Sequence, residues 1–295
     1  MFNRLGGAEK QRRGMHLLSL REVPAWVDAN PFILSGYRPE SQSWVQSLAS
    51  WTYPHNETCN IYSHLVPGLI LALGLGIAGL DLYTLDGAII ALHLTTAIVC
   101  LSASTFYHTV LNHSEQVASL WLNLDYVGIL VLTLGNFISG LHFAFYCDPQ
   151  LKLLYWSSVG VHGEGTDPII AASAGTGLVL LGPWFRAPEW RTLRLASFIA
   201  TGMSAFAPIG HAWYLWGYHY LFRIGVPYYL LEGALLLTGC YIYLSRLPES
   251  LYPGRFDIWG HSHTLWHIFV VLSIVAHLRG LQSAWEYNHH ATCIR

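Results

Sequence analysis

GAIIALHLTTAIVCLSASTFYHTVL, residues 87–111, holds no Asp, Glu, Lys or Arg. As an α-helix, residues 87–108 alone cover about 31 Å, the thickness of the hydrocarbon core of a bilayer. A run this long and this apolar reads as a membrane span. Six further stretches read the same way: Ile61–Leu82, Tyr126–Tyr146, Ile169–Trp184, Leu195–Tyr214, Pro227–Leu244 and Trp259–Leu281. The chain is 53% hydrophobic and 11% charged, against about 25% charged in soluble domains. The fold class expected is therefore all-α, an integral membrane seven-helix bundle. No alternating strand pattern suggests a barrel, and no basic stripe suggests a nucleic-acid partner.

The expected organisation is a polar N-terminal arm over 1–58, a seven-span domain over 59–282 and a short tail over 283–295. No cleavable signal peptide is visible at the N-terminus. Within the arm, REVPAWVDANPFILSGYRP (residues 21–39) is amphipathic enough to lie on a membrane surface. The five cysteines are scattered with no CxxC pair, which argues against a disulfide framework or a thiolate metal site. Seven spans put the termini on opposite faces. With the N-terminus cytosolic, the inner segments carry Arg4, Lys10, Arg12, Arg13, Arg21, Arg38, Arg186, Arg191, Arg194, Arg246 and Arg255. The outer ones carry Lys152, Arg223, Arg279 and Arg295. The positive-inside rule favours this orientation, N-terminus in and C-terminus out.

Orientation sorts the 16 histidines. His108 ends a helix that enters from outside, so it reaches the inner face. In GHSHTLWHIFVV (residues 260–271), His263 and His267 lie four apart at the start of the last span, on one helix face and also at the inner end. Three imidazoles from two helices can meet at one depth. His142, His211 and His277 fall near the outer surface, and His261 points away from the 263/267 face. Three histidines with one open position are a catalytic zinc set; the plainer alternative is histidines that pack and hydrogen-bond. Asp125 sits where the third span begins. It either caps that helix or orients and deprotonates water at a metal. Ser104, one turn before His108, is either a packing serine or a hydrogen-bond partner at the same site.

The blocks ETCNIYSHL, SASTFYH, HSEQVASLWLNLDYVGI, FRAPEWRTLR and RLPESLYPGRFDIWGHSHTLWHIFVVLSIVAH resemble the signature blocks of the progestin and adipoQ receptor family. This family takes in adiponectin receptors, haemolysin III-related proteins and a fungal zinc-homeostasis branch. The resemblance runs from about Trp26 to Leu281 and is strongest to the fungal branch. It implies zinc (Zn2+) held by His108, His263 and His267, with Asp125 and Ser104 acting on solvent at the metal. It also implies a ceramidase-like hydrolysis of a lipid amide such as ceramide, and a role in lipid and zinc homeostasis. The expected setting is the lipid bilayer of the plasma membrane or endoplasmic reticulum. A receptor for an extracellular protein or steroid-like ligand, with zinc purely structural, and a zinc sensor need the same ligands. Two departures from the family pattern stand out. Thr264 follows His263 where relatives often have Gln. GVHGEGTDPI, residues 160–169, reads as an insertion into the fourth span. Its His162, Glu164 and Asp167 are taken as a solvated loop rather than a second metal site. Glu57 and His64 are read as fixing the arm to the bundle.

Overall fold

The computed structural model describes residues 16–158 and 188–290. Among them the chain is helical, with one isolated antiparallel bridge between Leu18 and Tyr37. A short α1 (Trp44–Ala49) precedes α2 (Thr58–Ile77), α3 (Leu85–Val110) and α4 (Glu115–Ala144). After α5 (Pro149–Ser158) come α6 (Arg191–Met203), α7 (Phe206–Arg223), α8 (Val226–Ser245) and α9 (Ser262–His290). Five described stretches are long and apolar enough to cross a membrane: Thr58–Ile77, Leu85–Val110, Glu115–Ala144, Thr192–Arg223 and Ser262–His290. The expected sixth span is α8, a 20-residue helix whose tyrosines and Glu232 lower its apolarity. The fourth expected span, Ile169–Trp184, and the 160–169 segment with His162, Glu164 and Asp167 lie outside the described residues.

The bundle is inside-out relative to a soluble protein. On α2, Leu69, Ile70, Leu73 and Ile77 face outward and are mostly exposed, while His93, His108 and His142 are fully buried. Exposed leucines on a long helix suit lipid, and interior polar groups must then be satisfied within the protein. Helices α3 and α4 approach closely because Gly135 faces Thr96; a methyl there would collide with the threonine side chain. An apolar layer of Ala97, Cys100, Leu101, Leu132, Val270 and Ile274 crosses the middle of the bundle.

Two expectations about elements are corrected. Helix α4 starts at Glu115, not near Tyr126, because EQVASLWLNL is helical well before it is apolar. Asp125 is therefore about three turns inside the helix and caps nothing. Among the cysteines, Cys59, Cys100 and Cys240 are free, but Cys147, just past the end of α4, is disulfide-bonded. The arm is also more than a surface segment. Asn30 donates to Glu249 at 2.9 Å, and Leu34 N–H and the Ser35 hydroxyl donate to Asp257 at 2.9 and 2.6 Å. Both acids belong to the α8–α9 loop, so the arm closes over the end of the bundle where α3 stops and α9 starts.

Candidate metal centre

The site is assembled from three helix ends at that closed face. Arg38, buried in the arm, donates to the carbonyls of His108 and Thr109 at 2.6 and 2.8 Å and to the Ser50 hydroxyl at 2.7 Å. These are orphan carbonyls of the last turn of α3, where a cation is also favoured by the helix dipole. At the start of α9, the buried Glu249 carboxylate accepts from the Ser262 N–H at 2.7 Å and from the Ser262 hydroxyl. It serves as the cap of that helix and so sets the position of His263 and His267.

His108, His263 and His267 converge: each offers a ring nitrogen, and the three nitrogens lie within 4.8 Å of one another. The Nε2 atoms of His108 and His263 are 3.2 Å apart. Zinc–nitrogen bonds of about 2.0–2.1 Å at tetrahedral angles place neighbouring ligand nitrogens about 3.3 Å apart. The outer nitrogens are already committed. His108 Nδ1 is 2.7 Å from Glu57 Oε2. His267 Nδ1 is 3.1 Å from the Asn60 carbonyl and 3.1 Å from the Ser63 hydroxyl. A carboxylate and a carbonyl only accept, so both Nδ1 atoms carry the proton and both Nε2 lone pairs are left for a metal. The donor set fits zinc: three borderline imidazole nitrogens, His108 and His267 buried with fixed tautomers and His263 half-buried.

Ser104 and Asp125 come to the same place. Ser104 is buried on α3, and Asp125 of α4 lies close enough to Ser104 and His108 to interact electrostatically with both. Asp125 is not one of the three converging groups. All five residues singled out from the sequence thus gather at one end of the bundle. His261 turns away, its Nε2 meeting the Asn56 carbonyl at 3.1 Å. His142 and His277 pair elsewhere with Asp86 and Glu232, and His211 with Tyr155.

The sequence reading missed how much α2 contributes. Glu57 and Asn60 hold two of the three converging histidines, His108 and His267, and the His64 ring stacks on His267 at 3.8 Å. Burial alone would raise the Glu57 carboxyl, but the hydrogen bond and charge of His108, with His261 and Asn60, hold it well below the usual carboxylate range. Glu57, Asn60 and His64 fall at i, i+3 and i+7 in HNETCNIYSH, a polar stripe on the first helix to enter the membrane. That pattern is the signal that could have identified them. Thr264, the departure beside His263, donates to the Asn60 side chain at 2.7 Å and so joins the same support.

The pattern of haemolysin-III related proteins matches residues 52–278. The chain is 35% identical to the ADIPOR-like receptor IZH2 of Saccharomyces cerevisiae, over 92% of this chain and 85% of that protein. It is 33% identical to the ADIPOR-like receptor IZH1 of Eremothecium gossypii, over 94% and 87%. It is 32% identical to the adiponectin receptor protein of Drosophila melanogaster, over 91% of this chain and 59% of that one.

Proposed function

The chain belongs to the haemolysin-III related family, and from that premise we propose that it is a zinc-binding membrane protein that hydrolyses a lipid amide of the ceramide class. His108, His263 and His267 hold the metal, Asp125 is the general base and Ser104 orients it. The observation that carries the reading is the convergence of three imidazole nitrogens with Asp125 and Ser104 beside them. Zinc bound there supplies a Lewis acid and lowers the pKa of water to about 7. Asp125 accepts a proton from water, and Ser104 keeps its carboxylate turned toward the histidines. Glu57 and Asn60 keep the imidazoles in the tautomer the metal needs. An acyl chain arriving from the bilayer suits a site sunk in a bundle whose outer faces are apolar. The proposed setting is the plasma membrane or endoplasmic reticulum, with residues 1–58 as the cytosolic arm, 59–282 as the zinc-binding domain and 283–295 as an outer tail. A second reading is supported by the names of the relatives. They are called receptors, so here too zinc could tie α3 to α9 while a ligand on the other face shifts the bundle.

One experiment separates the two. Purified wild type is expected to hold about one zinc per chain and to release fatty acid from ceramide. Asp125→Asn should keep its zinc and lose turnover by about 10²–10⁴-fold. His263→Ala with His267→Ala should lose the metal, and His211→Ala should keep it. Zinc-loaded wild type that releases no fatty acid would end the hydrolase reading and leave the receptor one. Undiminished zinc in the double variant would end both.

A further inference from the structure

The described bundle buries a second polar cluster, distant from the histidines above. His93 lies about 22 Å along α3 from His108 at helical rise. Its Nδ1 meets Asn136 Oδ1 of α4 at 3.0 Å. Asn136 donates to Glu232 Oε1 of α8 at 2.7 Å. Glu232 Oε2 accepts from His277 Nδ1 of α9 at 2.7 Å, and His277 Nε2 meets the Ser139 hydroxyl of α4 at 3.1 Å. The rings of His93 and His277 stack at 4.6 Å, with Tyr229 5.0 Å from His277. A carboxylate and two imidazoles at membrane depth are costly to keep and mark a function.

Counting protons shows what the cluster can do. Ser139 has one hydroxyl proton and also lies 2.7 Å from the Gly135 carbonyl. A carbonyl only accepts. With that proton on Gly135, His277 donates through both nitrogens, so it is an imidazolium facing the Glu232 carboxylate and the pair is neutral. With the hydroxyl turned to His277 Nε2, the imidazole is neutral and Glu232 keeps an uncompensated charge. The two states differ by one proton, and one bond rotation accommodates either. Among the described residues, the titratable groups on the elements packed around the pair are His93 of α3, Tyr229 of α8 and, one turn outward, His142 of α4 with Asp86 of α3. Helix α7 packs on the same core through Ala212, Tyr220 and Leu221, and its His211 is bonded to Tyr155.

Among the described residues, access is one-sided. Three residues beyond Ser139 on α4, His142 Nε2 meets Asp86 Oδ1 at 2.6 Å, and the Tyr146 hydroxyl donates to Asp86 Oδ2 at 2.9 Å. These groups line a cavity of about 620 Å³ together with Lys152, Trp285 and His289. Exposure falls from 39% at His289 through 14% at Asp86 to 1% at His142. Buried polar atoms without a partner continue the line: His142 Nδ1, His93 Nε2 and the Tyr229 hydroxyl. Such atoms in a polar interior are where solvent or protons enter. On the other side, the apolar layer of Ala97, Cys100, Leu101, Leu132, Val270 and Ile274 lies between this cluster and the three converging histidines on α3, α4 and α9 alike.

We propose that Glu232 and His277 form an intramembrane proton-binding site, filled and emptied only from the end of the bundle that carries the Asp86 cavity. The site is independent of the metal chemistry. It takes one proton onto His277, delivered past Asp86 and His142, and Glu232 holds the resulting imidazolium.

The test is nitrogen NMR of histidine-labelled, metal-loaded protein in lipid vesicles, selected so that a tag after Arg295 faces outward; the Asp86 cavity is at that end, since His289 reaches Asp86. Raising the outside pH from about 5 to about 9 should convert one buried imidazolium per chain to imidazole. Changing only the inside pH should not. Glu232→Gln lets a neutral His277 keep its hydrogen bonds, so this variant should stay folded with unchanged metal and lack that imidazolium throughout. His277→Gln should remove the same signal. A buried imidazolium that survives in both variants, or one that follows the inside pH, would overturn the proposal. So would a wild type with no such signal at any pH.

Discussion

Glu57 acts on the site through His108. It places a carboxylate 2.7 Å behind the imidazole, which fixes the tautomer and leaves the Nε2 lone pair facing the other two histidines. Glu57→Gln can still accept one hydrogen bond but carries no charge. Metal affinity should fall about 10–100-fold with all three histidines intact, measured by competition with a chelator of known strength. An unchanged affinity would reduce Glu57 to packing. At this scale the sequence was partly legible. His263 and His267 announce themselves by spacing, and His108 by helix length. Glu57 does not, because its partner is 51 positions away and a carboxylate before a helix start looks like any N-terminal acid. Asp125 comes near Ser104 and His108 from about three turns inside α4, not from the helix start where its capping role was expected.

At the scale of elements, apolar runs located the spans and said little about their ends. α4 begins eleven residues before Tyr126, and α9 runs on from Leu281 to His290, because polar turns are held by partners elsewhere in the fold. The N-terminal arm was the least legible element. Its contacts go to Glu249 and Asp257 more than 200 positions away, and amphipathicity cannot distinguish such contacts from a membrane surface. His55 ties this arm to α2: it is fully buried, and its Nδ1 accepts from the Glu57 N–H at 3.1 Å. Burial, then the nearby Arg38 charge, pulls its pKa down to about 3. An undocked His55 titrates near its ordinary value of about 6.5. Docking strength from this residue is therefore full above that value and is lost as pH falls toward about 3, by about 1.4 kcal/mol per unit. Hydrogen exchange at Leu18 and Tyr37, which pair across the bridge, should speed up between about pH 7 and about pH 5 after correction for intrinsic rates. His55→Asn, able to accept from the same N–H without titrating, should flatten that response. Equal acid sensitivity in the two proteins would move the effect to another group.

The whole molecule has two unlike ends, and they predict how it sits in the membrane. One end gathers the arm, Arg38, Arg246, Arg255 and the three converging histidines. The other carries Lys152, the Asp86 cavity and the disulfide-bonded Cys147. The sequence puts eleven of its 15 basic residues in segments expected on the arm's side, which favours the arm in the cytosol. The cysteines bear on the same question by independent chemistry. Disulfides persist in oxidising compartments and are rare in the cytosol. Cys147 is bonded at the far end, while Cys59 at the arm end is free. Both signs point the same way although one comes from charge and the other from redox chemistry. A tag before Met1 should be protected from protease in intact cells and cleaved only after permeabilisation, whereas a tag after Arg295 should be cleaved in either case. An impermeant reductant should reach the Cys147 disulfide without permeabilisation. Cleavage of the N-terminal tag in intact cells would reverse the orientation. The converging histidines would then face the oxidising side, and the proton site would open to the cytosol.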